Sequence, residues 1–158
     1  DPIFVPYLSG ERTPFMDPGL RGSWHGISLG TTRSMILRSV LEGVAQAVSL
    51  AVHAVRDSGG EMPDTVPFIG GGSTNPVFAQ LLADCAGRPL ANIEAPDAAV
   101  TGAALLGTGI TSNPHRPEFS SVTRPREKEM ALLASRRERL REIIAISRGA
   151  RAGATLLE

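Results

Sequence analysis

The sequence predicts an α/β layered lobe with at least part of its sheet parallel, and three observations carry that expectation. Val66 to Gly87, VPFIGGGSTNPVFAQLLADCAG, passes from an apolar stretch of strand length through three glycines into an amphipathic segment. In that segment Val77, Phe78, Leu81, Leu82 and Cys85 recur at three and four, the spacing of one helix face. Strand-length apolar runs then alternate with helical segments along the chain, the pattern of strand–helix–strand units. Finally, 158 residues at 42% hydrophobic content are enough for a single domain, or one lobe of something larger, with one core.

Taken in order, Ile3 to Leu8 is an extended apolar run that Pro6 demotes to an edge strand or irregular piece. Gly10, Pro14, Pro18 and Gly19 make the following segment a loop, which carries Glu11, Arg12, Asp17 and Arg21. Two readings stand for it: a solvated surface loop with local ion pairs, or a loop packed on a neighbouring lobe near a ligand. Gly22 to Gly30 alternates in a strand-like way. Thr31 or Thr32 then caps a long helix with apolar positions Met35, Ile36, Val40, Leu41, Val44, Val48, Leu50, Ala51 and Val55, and Gly59-Gly60 stops it. Ala45, Ala47, Ala51 and Ala54 suit close packing of this helix on a sheet, while Arg38, Glu42, Arg56 and Asp57 fall on polar positions. His53 reads as a buried or half-buried structural histidine.

Val66 to Ile69 is the central strand and Gly70 to Gly72 the turn after it. Glycines let the main chain approach a ligand, and the helix start offers unpaired N–H groups. Arg88 to Ile93 is another strand, Glu94 to Asp97 a connection, Ala98 to Leu106 a small-residue helix suited to tight contacts, and Asn113 to Pro125 a loop. The last helix runs from Pro125 or Arg126 to Ser147. Met130, Leu133, Leu140, Ile143, Ile144 and Ile146 mark its apolar side, and Arg136, Arg137, Arg139 and Arg141 with Glu138 and Glu142 its polar side. Arg148 to Glu158 reads as a frayed tail.

The formal net charge of zero sets up no global field that would recruit nucleic acid or anionic lipid. The arginines of the last helix are diluted by acidic residues and have no interleaved aromatics for stacking bases, so no nucleic-acid partner is expected. No apolar run approaches the roughly 20 residues of a membrane helix, and no membrane partner is expected. Cys85 is the single cysteine, which excludes internal disulfides and fits a reducing cytoplasm, the expected location; it reads as a small packing residue. The chain starts Asp1-Pro2 without Met and ends Leu157-Glu158, which can be read as an expression scar; the expectation is a piece of a longer chain.

The glycine turn is not a P-loop, since no Gly-Lys-Ser/Thr follows, and it is not the G-x-G-x-x-G dinucleotide pattern. By itself it supports either a place where backbone meets a ligand or a plain tight turn. No His/Cys cluster suggests a metal site, and no Ser/His/Asp set has a recognisable spacing.

Leu8-Ser9-Gly10-Glu11-Arg12-Thr13-Pro14, then Asp17-Pro18 and Arg21-Gly22, resembles a segment of the xylulokinases in the FGGY carbohydrate kinase family. Gly22 to Ile27, Thr32-Arg33 and Arg38 to Ala45 are similar to that family's C-terminal motif. Gly70 to Ser73 with Asn75-Pro76 and Gln80 to Asp84 resembles its adenine-side motif, and Gly102 to Leu106 the helix that follows. The likeness runs from about Phe4 to Gly109. One position departs: Met35 stands where the motif carries a polar residue, typically histidine in xylulokinase-like members. The helix does not need that side chain, so the departure bears on the sugar rather than the fold.

The resemblance implies a ribonuclease H-like lobe of the actin-like ATPase superfamily, the C-terminal half of a two-lobed sugar kinase. Residues 1–147 would be most of the nucleotide-binding domain and 148–158 a tail. ATP and Mg²⁺ would lie between the lobes, the sugar against the absent N-terminal domain, and a homodimer is one assembly open to it. The catalytic aspartate and first phosphate loop would belong to that other domain, and a second phosphate hairpin would precede Asp1. No catalytic residue is expected here; Asp17, Glu42, Asp84 and Asp97 read as turn, helix-surface or ion-pair residues. Gly70, Gly71 and Gly72 would form the adenosine-side turn, and Asn75 would offer its side-chain amide to the base or ribose. Gly72→Val is then expected to weaken nucleotide binding with little loss of fold. The implied activity is phosphoryl transfer from ATP to a ketopentose, D-xylulose first, with ribulose, glycerol or another polyol as the nearest alternatives. A non-catalytic actin-like binding or scaffold lobe is the alternative of a different class.

Overall fold

The computed structural model describes the backbone of residues 1–93, 98–109 and 119–154, and their side chains up to 150. Its elements are β1 (Ile3–Val5), β2 (Ser23–His25), α1 (Arg33–Asp57), β3 (Val66–Phe68), a 3-10 turn (Gly71–Thr74), α2 (Pro76–Ala86), β4 (Leu90–Ile93), α3 (Ala98–Gly107), β5 (Phe119–Thr123) and α4 (Glu127–Ala154). β1 and β2 pair antiparallel as one small sheet; β3, β4 and β5 form a second, with β3 parallel and β5 antiparallel to β4. The expected parallel pair is therefore β3–β4, connected through α2.

β5 falls in the stretch read as a loop. Its two apolar residues, Phe119 and Val122, are both exposed, so no buried face marked it as a strand. Pairing with β4 defines it instead, supported by Asn92 Nδ2 donating to Ser121 Oγ (2.9 Å) and Ser120 Oγ to the Asn92 carbonyl (3.1 Å). The strand expected over 22–30 shrinks to β2. Gly26 at φ +79 ends it, and the Ser28 N–H turns back to Thr31 Oγ1 (2.9 Å).

Thr32 is the cap of α1: its Oγ1 accepts from the Met35 N–H (3.3 Å), while Met35 Sδ accepts from the Thr32 N–H (3.4 Å). A thioether thus takes the place that Glu or Gln fills in a capping box. At the other end Ser58 and Gly59 close the helix, with Gly59 at φ +84.

The expected apolar face of α1 is not the face it buries. Ser39, Glu42, Gly43, Ala45, Gln46, Ser49 and Leu50 are buried, whereas Val44, Val48 and Val55 are exposed. Close approach decides this. A Cβ on Gly43 would lie 2.4 Å from the Phe4 carbonyl oxygen of β1, so only small residues fit there. The polar ones have partners: Gln46 Nε2 donates to the Leu133 carbonyl (2.8 Å), Ser49 Oγ to the Cys85 carbonyl (2.8 Å), and Glu42 accepts from Arg136. Glu42 is therefore a core residue held in an ion pair, one of the readings open to it from sequence, although its place among the polar positions of α1 pointed to the surface. By length and composition α1 is also apolar enough to cross a membrane, against expectation, although its core face carries these hydrogen-bonded polar residues.

Two apolar clusters form the core. Val5, Tyr7, Leu20, Leu50, Leu140, Ile143 and Ile144 make one; Ala45, Leu81, Leu82, Ala83, Cys85, Leu90 and Leu133 make the other. α4 enters both and continues past Ser147, where the sequence placed its end. Ile146, expected on its apolar side, is exposed, and Arg136 and Arg137, expected on its polar side, turn inward. None of the residues of α3 is buried, and among the described residues the tight contact expected of this small-residue helix is not seen. Residues 94–97, with Asp97, and the end of the tail lie outside the described residues.

Candidate functional site

The β3–α2 crossing puts the three glycines on the surface. Gly70 takes φ +90, a conformation open mainly to glycine, and swings the chain out of β3. The turn after it is held from within: Ser73 N–H and Oγ both bond the Gly70 carbonyl (3.0 and 2.7 Å), and Thr74 Oγ1 bonds the Gly71 carbonyl (2.8 Å). These two hydroxyls were not singled out from sequence, though a Ser or Thr three residues after a turn carbonyl is a usable signal. Among the described residues the N–H groups of Gly71 and Gly72 have no acceptor, and both glycines are exposed.

The expected unpaired N–H groups at the start of α2 are absent. Pro76 has none, and the N–H groups of Val77 and Phe78 donate to Asn75 Oδ1 (3.0 and 3.1 Å). That of Ala79 bonds the Asn75 carbonyl (2.9 Å). Asn75 is thus the cap of α2, and only its Nδ2 remains for a ligand. Gly72 also differs from its reading. A Cβ there would meet the rings of Phe78 and Phe68 at 3.2–3.3 Å, whereas one on Gly71 meets nothing within 4 Å. Gly72→Val would therefore crowd the Phe68–Phe78 pair, and Gly71 is the position that faces open space.

The carboxylates are structural. Asp84, fully buried, accepts from Arg126 Nη2 (2.6 Å) and Nε (3.0 Å), from the Arg126 N–H (2.7 Å) and from Gln80 (3.0 Å), which fastens the entry of α4 to α2. Asp17 closes its own turn on the Gly19 N–H (2.9 Å) and pairs with Arg148 (3.2 Å). His53 is half-buried, with Nδ1 on the Ser49 carbonyl (2.7 Å), as its structural reading expects. A depression of about 370 Å³ lies at the far end of α2, lined by His53, Arg56, Arg88 and Arg137. Its arginines are already engaged, with Asp57, the Pro63 carbonyl and the Cys85 carbonyl.

Cys85 lies beside that depression with its thiol buried. Burial, then the Glu42 and Asp84 carboxylates, push its pKa up to about 12. The thiolate is the reactive form, so iodoacetamide at pH 8 is expected to leave Cys85 unmodified in the folded chain and to alkylate it fully in denaturant. Mass spectrometry checks this; rapid native labelling contradicts the packing. The same upward shift favours the folded state below the thiol's ordinary range and withdraws that support as pH climbs towards 12.

Residues 1–109 match the model of the FGGY family of carbohydrate kinases, C-terminal domain. The chain belongs to this family. A xylulose kinase of Staphylococcus epidermidis is 36% identical over 104 residues, covering 66% of this chain and 21% of that protein. A glycerol kinase of Myxococcus xanthus is 38% identical over 118 residues, covering 72% of this chain and 24% of its own length. Among solved structures, a xyloylose kinase from Brucella ovis superposes with a TM-score of 0.84 at 29% identity, over 94% of this chain and 32% of that one. The FGGY chain described here thus has the actin-like ATPase fold and corresponds to C-terminal domain sequence. It spans about a fifth of the length of the curated relatives it matches.

Proposed function

We propose that this chain supplies the adenosine side of the nucleotide site in an ATP-dependent kinase that phosphorylates a ketopentose hydroxyl, D-xylulose first. The observation that supports this is the exposed turn after β3, where two glycine N–H groups stand without an acceptor among the described residues and Gly71 has open space beside it. A flat base can lie against such backbone, its ring nitrogens accepting those hydrogen bonds. The Asn75 side-chain nitrogen, which the α2 cap does not use, would serve the ribose or base edge.

Asp17, Glu42 and Asp84 are committed to ion pairs, which supports a base for the sugar's proton supplied from another part of the enzyme. No group of three or more His, Cys, Asp or Glu among the described residues is arranged to hold a metal ion. Mg²⁺, which neutralises charge on the transferring phosphate, would travel with the ATP phosphates. Phosphoryl transfer is mainly positioning plus charge neutralisation, so this chain alone is expected to lack activity. The 38% identity to a glycerol kinase supports a polyol as the second reading.

The test is ADP release by the full-length gene product with D-xylulose, D-ribulose and glycerol. A clear preference in kcat/KM for D-xylulose is expected; no preference overturns that choice of sugar. Gly71→Val in the same enzyme is expected to raise the KM for ATP by about tenfold or more, on the order of 1.4 kcal/mol, with the melting temperature unchanged. An unchanged KM in the folded variant would refute the placement of adenine.

A further inference from the structure

The depression of about 370 Å³ at the far end of α2 gathers guanidinium groups from three separate elements. Arg56 comes from the last turn of α1, Arg88 from the entry to β4, and Arg137 from α4, with His53 beside them. Two carboxylates share the lining, Asp64 and Asp84. Asp84 is already bound by Arg126, so Asp64 alone faces the three arginines. Asp57 and Glu138 flank the depression on its outside, both exposed, where solvent and salt screen them.

Arg137 is the telling residue. Its side chain is only 16% exposed, yet its one short contact among the described residues is from Nη1 to the Cys85 carbonyl (3.0 Å), and Glu138 stays 3.9 Å away. A carbonyl satisfies a donor without neutralising the charge, and a cation held largely out of water calls for an anion. Arg136, buried to the same degree, has one in Glu42. Each guanidinium carries five N–H donors, and the contacts to Asp57, the Pro63 carbonyl and the Cys85 carbonyl leave most of them over.

We propose that this depression binds a phosphoryl group, free or carried on a small molecule. A tetrahedral dianion offers oxygens to guanidiniums arriving from three directions, whereas a planar carboxylate meets a single fork. The volume lies near the lower end of the roughly 300–1,000 Å³ of ligand pockets, which suits a phosphate or a small phosphate ester. No Phe, Tyr or Trp lines it, so a nucleobase has no ring to stack on. It is also separate from the glycine turn, since the 11 residues of α2, about 16 Å of helix, lie between them. The site therefore stands whether or not the kinase reading does.

The test is calorimetric titration of the full-length gene product with inorganic phosphate, D-ribose 5-phosphate and, as a carboxylate control, malonate. Phosphate, its ester or both are expected to bind with a Kd below about 1 mM. An ester that binds more tightly than phosphate makes a phosphorylated small molecule the ligand; equal or weaker binding makes it free phosphate. Arg56→Gln with Arg88→Gln is expected to weaken that binding tenfold or more, and Gly71→Val to leave it unchanged. Arg137 is kept because it also holds the end of α2. No binding by either phosphate probe, equal affinity in the double variant, or a loss in Gly71→Val overturns the site. Malonate bound as tightly overturns the phosphoryl assignment. Should the double variant not fold, phenylglyoxal labelling of the unaltered protein replaces it. The phosphate probe is then expected to shield Arg56 and Arg88 but not the exposed Arg139, and labelling without that difference refutes the proposal.

Discussion

Arg136→Ala is expected to cost about 3–5 kcal/mol, a fall in melting temperature of roughly 10 °C for a chain of this size. Arg136 reaches from α4 into the core, where Glu42 of α1 is almost wholly buried, and its other nitrogens donate to the carbonyls of Asp1 (3.1 Å) and Pro2 (3.0 Å). Three parts of the chain therefore converge on one guanidinium. Removing it leaves the buried Glu42 carboxylate without its partner, and a lone buried carboxylate costs more than the pair contributes. The companion variant separates the causes: Glu42→Leu with Arg136→Leu should recover most of the loss, because nothing charged remains to be solvated. Thermal unfolding followed by circular dichroism checks both. A double variant no better than Arg136→Ala would show that the backbone carbonyls, not the carboxylate, are what Arg136 serves.

Gly43→Ala is expected to destabilise although helix propensity argues the other way. In an exposed helix interior the change would gain about 1 kcal/mol. Here the new methyl would sit 2.4 Å from the Phe4 carbonyl oxygen and 3.1 Å from the Phe4 ring, and the closer neighbour is backbone that cannot rotate away. Overpacking of this kind costs roughly 1–3 kcal/mol, and the backbone contact puts this site at the upper end, so the clash outweighs propensity. β1 must move, and Phe4 moves with it. Its ring lies 4.5 Å from that of Trp24, whose Nε1 donates to Ser39 (3.1 Å). Trp24 is the single tryptophan, so its emission reports the displacement directly. Unchanged stability together with an unchanged Trp24 spectrum would mean that α1 and β1 are farther apart than the geometry has them.

These two residues show where the sequence was legible. Glu42 and Gly43 sit in a helix that its pattern announced, with Thr32 among the caps proposed and Gly59 at its end. The same pattern pointed the wrong face inward. It counts hydrophobicity, while the neighbours of α1 approach too closely for large side chains and supply partners for polar ones. Val44 and Val48, on the face the pattern would bury, are exposed. β5 was illegible for a related reason: its identity lies in hydrogen bonds to β4, and no apolar alternation records them.

At the site, the turn of Gly70 to Gly72 after β3 could be read from local chemistry, because left-handed backbone at Gly70 favours glycine and Pro76 after Asn75 opens a helix. Which way each glycine faces could not. Sequence by itself determined the strand–turn–helix order, the caps of α1 and the family, all of which depend on neighbours along the chain or on motifs in a fixed order. Tertiary structure alone decided that α1 buries Gly43 against Phe4, and that Asp84 and Glu42 are bound to Arg126 and Arg136. Those outcomes depend on residues brought together from distant parts of the chain, whose distances no local periodicity encodes.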